Sequence, residues 1–138
     1  MKFNILDGLV NNTLKFTNFS VNQVFIIINL IHILIVASLF LSIGIYKSNT
    51  PKCIVGIVGI IGLLLPIIVG LPNMTMLTLR TFIRIFHIIV GLSLVIFSIT
   101  FMKDSTKISD DMYSSFIGLA LTIISYHIYK LILRVKKL

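Results

Sequence analysis

Four apolar runs alternate with short polar stretches along the 138 residues, from about Val24 to Tyr46, Cys53 to Leu71, Leu77 to Met102 and Tyr113 to Leu133. A helix rises 1.5 Å per residue, so roughly 20 apolar residues cross about 30 Å of hydrocarbon. The pattern predicts an all-α fold: an integral membrane bundle of four transmembrane helices, one domain, short loops and both termini on the inner side. Ahead of the first run, residues 1 to 22 place Leu6, Leu9, Val10 and Leu14 on one side and Asp7, Asn11 and Asn12 on another, which fits a short helix in the headgroup plane. The first run starts too late and is too long for a cleaved leader.

The polar positions inside the runs give each helix a face. In the third run Arg80, Arg84, His87, Gly91 and Ser98 fall within an arc of roughly 60° at about 100° per residue, a narrow seam on a Leu/Ile/Val/Phe surface. The first run carries Asn22, Asn29 and His32 on one side. The second has Gly56, Gly59, Gly62 and Gly70, with Pro66 four residues beyond Gly62, where the missing side chain leaves room for a kink. Small residues let helices approach closely in membranes, so Gly56, Gly59, Gly62, Pro66, Gly91 and Gly118 are the expected packing positions. The fourth run has Gly118, Thr122 and Ser125 on one side and His127, Lys130 and Arg134 on the other. With the small-residue side packed inward, His127 is expected to point toward lipid headgroups.

Composition agrees with this reading. Hydrophobic residues make up 57% and charged residues 12%, outside the range of soluble domains of this length. The net charge of +8 reflects scarce acids, since only Asp7, Asp104, Asp110 and Asp111 are present. In so apolar a chain that excess marks flanks facing inner-leaflet headgroups, and nucleic acid is not an expected partner. Eight bases (Lys2, Lys15, Arg80, Arg84, Lys130, Arg134, Lys136, Lys137) fall on the side of the termini against four (Lys47, Lys52, Lys103, Lys107) on the other, which sets the inner side. The sequons at Asn11, Asn18 and Asn73 then lie inside and are expected to carry no glycan. Cys53 has no partner for an internal disulfide.

Candidate chemistry is sparse. No acid lies within a run, no nucleophile sits beside a histidine in a known motif, and the glycine-rich second run lacks the Lys-Ser/Thr ending of a phosphate loop. No enzyme activity and no metal site are expected. Arg80, Arg84, Lys130, Arg134, Lys136 and Lys137 are the expected contacts to anionic lipid. The leading functional expectation is a non-enzymatic structural or accessory subunit of a larger membrane-associated assembly, of a respiratory-type complex or a virion membrane or capsid layer, without a cofactor. The alternative is a small electron-transfer protein holding haem b between His32 and His87, with Gly91 making room for the ring and Arg84 near a propionate. A small channel or carrier is a third reading.

Overall fold

The computed structural model describes residues 20–70 and 78–136, and of Leu79 and Arg80 the helical backbone alone. The proposed interfacial segment, the three sequons, the turn at Pro72 and Asn73, and Lys137 lie outside the described residues. Among the described residues every regular element is helical: α1 (Val21–Ile31), a π-turn (His32–Val36), α2 (Ala37–Tyr46), α3 (Lys52–Val69), α4 (Leu79–Lys103) and α5 (Asp110–Val135), with 3₁₀ turns at Lys47–Asn49 and Ser105–Lys107. The continuous helical stretch Val21–Asn49 and the helices Lys52–Val69, Thr81–Lys103 and Asp110–Val135 are long and apolar enough to cross a membrane, so four of the predicted elements are present.

Caps decide where these helices begin. Ser20 accepts from the Gln23 amide while the Gln23 side chain accepts from the Ser20 amide, a capping box that starts α1 before the apolar run does. Thr78 caps α4 through the Thr81 amide, and Ser109 caps α5 through the Met112 amide. The Ser109 cap carries α5 back through Asp110 and Asp111, whose negative charges suit the positive end of the helix dipole. At the other end of α3, Gly70 takes φ 74 and donates its N–H to Pro66 O at 3.1 Å; that left-handed turn is where the helix stops.

The described residues form two units, one of residues 51–107 and one of residues 20–50 with 108–136. In the first, α3 and α4 run antiparallel. Ser98 Oγ donates to Val55 O at 2.8 Å, and a Cβ built on Gly62 would lie 2.6 Å from Gly91 O, while one built on Gly91 would lie 2.7 Å from Gly62 O. Two backbones that close exclude any larger residue at either position. Gly59 sits against the Ser98 side chain in the same way, and Leu65 and Pro66 cover Gly91. The polar seam of the third run is therefore a helix-packing seam from Gly91 to Ser98. Gly56 makes only an ordinary contact, with Met102 at 3.5 Å.

In the second unit, the first span (α1, π-turn, α2) pairs antiparallel with α5. Buried Phe40 meets Phe116 edge to face at 5.6 Å, Ala37 and Ala120 are fully buried, and the absent side chain of Gly44 leaves room for Tyr113 O and Ile117. The π-turn shifts the helical phase of the first span between Asn29 and Ala37. An unbroken α-helix would carry Ala37 about 80° away from the face of Asn29, and the extra residue in the turn winds it back by about 100°. Its wide hydrogen bond is the Ala37 N–H to His32 O. An exposed ion pair, Lys47 Nζ to Asp110 Oδ1 at 2.7 Å, links the ends of α2 and α5.

The inward face of α5 corrects two expectations. Gly118 has nothing within 4 Å of a built Cβ and, with Thr122 and Ser125, faces outward. Tyr113, Phe116 and Ala120 face in instead, because the aromatic side chains fill the space beside Phe40 that small residues would leave empty.

Candidate functional site

The polar residues of the first span and of α5 meet. Asn29, 8% exposed, donates from Nδ2 to Phe25 O at 2.7 Å within its own helix. A carbonyl only accepts, so the amide nitrogen must face Phe25 and Oδ1 must face the other way, where His127 Nδ1 lies at 2.7 Å. His127 Nδ1 therefore carries a hydrogen and donates it. His32 Nδ1 lies 2.8 Å from Ile28 O and, by the same reasoning, donates to it. In the neutral form each ring then keeps its lone pair on Nε2.

The two imidazoles stack. Their centroids are 4.3 Å apart and their planes differ by 18°, with the Tyr126 ring edge-on to His127 at 5.1 Å. The expectation that His127 points toward headgroups is corrected by this contact: the face that carries His127, Lys130 and Arg134 is the one that meets the first span. Nearly parallel stacked rings hold their in-plane lone pairs in separate planes. Among the described residues no group of three or more His, Cys, Asp or Glu is placed to hold one.

Seven residues further along, at the start of the first span and the end of α5, Arg134 Nη1 donates to Asn22 Oδ1 at 3.0 Å and the guanidinium lies 4.4 Å over the Phe25 ring. Lys130 Nζ lies 5.6 Å from the Tyr126 ring centre. Lys136 is exposed and Lys130 half-buried. Of the basic residues expected to meet lipid, Arg134 is thus engaged across the helix pair; the side chain of Arg80 and all of Lys137 lie outside the described residues.

His87 and Arg84 belong to the other unit, both half-buried on α4. His87 Nδ1 donates to Ile83 O at 2.6 Å, and the ring meets Phe86 edge-on at 6.0 Å. The room expected beside Gly91 is filled by Gly62, Leu65 and Pro66, and one face of His32 is covered by His127.

The contacts that the sequence reading missed had a signal. Seven residues separate Asn22 from Asn29 and seven separate His127 from Arg134; eleven separate Asn29 from Phe40 and eleven separate Phe116 from His127. Equal steps on two antiparallel helices bring polar to polar and aromatic to aromatic. Matched spacing between the two faces points to this pairing. Gly44 had no comparable mark, since one glycine in an apolar run predicts no partner. Compared with family models, with curated proteins and with solved structures, the chain has no match.

Proposed function

We propose that the chain spans a membrane four times with both termini on the inner side, and that it serves as a non-enzymatic structural or accessory subunit of a larger membrane-associated assembly. One observation carries this reading: the polar groups of Ser98, Asn29 and His127 are turned onto helix partners while many large apolar side chains face out. Ser98, Asn29 and His127 bond across helix pairs, whereas Leu34 (66% exposed), Leu63 (61%) and Ile96 (65%) point away. Such a surface suits lipid tails and other apolar helices, which are the contacts an assembly subunit makes. Bases at the inner ends, Arg84, Lys130 and Lys136 among them, fit anionic headgroups at about 1 kcal/mol each near the surface.

The test is purification from the native membrane in a mild detergent. The expected result is migration in a complex with stoichiometric partner proteins and no Soret absorption. Recovery of an isolated protein carrying a Soret band would favour the haem reading, and solute flux from the isolated protein in liposomes would favour a channel or carrier.

A further inference from the structure

We propose that the guanidinium of Arg134, held between α1 and α5, is the oriented half of a binding site for the phosphate of an anionic phospholipid, so that the bound headgroup straddles the helix pair. This site rests on the reading above that the C-terminal end of α5 lies at the inner headgroups. Two contacts orient the guanidinium: Nη1 donates to Asn22 Oδ1 at 3.0 Å, and the central carbon lies 4.4 Å over the Phe25 ring. Both partners belong to α1, so a side chain rooted on α5 is anchored by the other helix. Arginine carries five N–H donors, and Asn22 takes one. Among the described residues that is the one hydrogen bond the side chain makes. The remaining donors form a planar fork that matches two oxygens of one phosphate.

The charge around the fork is positive. Among the described residues of this unit the carboxylates are Asp110 and Asp111. Asp110 lies 24 positions before Arg134, about 36 Å along the helix, and pairs with Lys47. Lys130 is one turn before Arg134 on the same face, and exposed Lys136 is two residues beyond it. The first turn of α1, against which the guanidinium rests, contains no acid. A neutral amide and an aromatic ring hold the cation in place without neutralising it. Arg134 is half-buried, so the group is both held and reachable. A headgroup with net negative charge suits three bases, whereas choline would bring a cation of its own toward Lys130 and Lys136.

An oriented fork and a diffuse basic flank behave differently. A flank attracts in proportion to its charge, and one base serves as well as another. The fork depends on arginine geometry and on Asn22, which carries no charge at all.

The experiment titrates the full chain in a neutral detergent with phosphatidylglycerol or phosphatidylcholine and counts bound lipids by native mass spectrometry. The first phosphatidylglycerol is expected to bind at least about fivefold tighter than phosphatidylcholine. Arg134→Gln is expected to abolish that preference. Arg134→Lys, which keeps the charge, and Asn22→Ala, which leaves it untouched, are expected to lose most of it, while Lys136→Gln keeps it. Circular dichroism without lipid follows the helix content of each variant. In the unsubstituted chain, dipolar transfer from phosphorus to guanidinium nitrogen in phosphatidylglycerol bilayers is expected at Arg134, and it needs no variant to fold. Full phosphatidylglycerol preference in Arg134→Lys, a loss in Lys136→Gln equal to that in Arg134→Gln, displacement of the lipid by soluble glycerol phosphate, or no transfer at Arg134 overturns the proposal. Insertion is read separately by resistance to carbonate extraction, and assembly by co-purifying proteins. A chain that inserts and assembles yet shows no lipid preference sinks this site alone.

Discussion

At the scale of the residue, a glycine is a packing element only where another backbone lies against it, and the two glycine classes here are separable by experiment. Gly62→Ala would press a methyl onto Gly91 O, a backbone atom that cannot swing away, and is expected to destabilise the protein by about 1–3 kcal/mol. Gly118→Ala meets open space and is expected to be neutral or to gain up to about 1 kcal/mol from helix propensity. Reversible unfolding in bicelles, with both variants side by side, checks the contrast. Sequence alone ranked these two residues equally, because a glycine's neighbour is a tertiary fact. Outside the spans, Asp104 is held below the usual carboxylate range by hydrogen bonds from the Thr106 hydroxyl and amide, with Lys107 adding to them. A depressed folded value means that the Asp104–Thr106 turn contributes stability above the ordinary carboxylate range, near pH 4, and loses it as pH falls through the folded value. Thr106→Val removes the hydroxyl donor, so carboxyl NMR is expected to find Asp104 titrating closer to its ordinary value.

At the scale of the element, existence was legible and limits were not. Apolar length identified four helices long enough to cross a membrane, since a helix satisfies the backbone of so long an apolar run internally. The ends follow from side chain to backbone bonds that hydropathy does not register. Asp110 and Asp111 read as loop because they are charged, yet they form the first turn of α5 behind the Ser109 cap. Ser109→Ala is expected to cost about 1 kcal/mol and to fray that turn, with amide exchange at Met112 and Tyr113 as the readout. The π-turn left no trace in the pattern either. Of the candidate site, its polar residues were all legible, and the partnership was not. His32 stacks on His127, and Phe40 packs on Phe116, eight residues from the first histidine and eleven from the second.

At the scale of the whole molecule, the charge asymmetry predicts a topology with a built-in reporter. Cys53 is exposed at the first turn of α3, on the side with four bases. A membrane-impermeant maleimide applied to intact cells, with that side facing the medium, is expected to label Cys53 while a C-terminal tag stays protected; the reverse pattern would show that the termini lie outside. The two units also differ in when they can form. Within residues 51–107 the chain closes on itself soon after synthesis, Ser98 lying 43 positions beyond Val55, but Asn29 must wait for His127, 98 positions later. A ribosome adding about 5–20 residues per second delivers that partner on the order of 5–20 s after Asn29 itself. For that interval the amide of Asn29 and the imidazole of His32 lack the partner helix that they meet in the fold. The pair of the first span with α5 is thus the last that the order of synthesis allows to form.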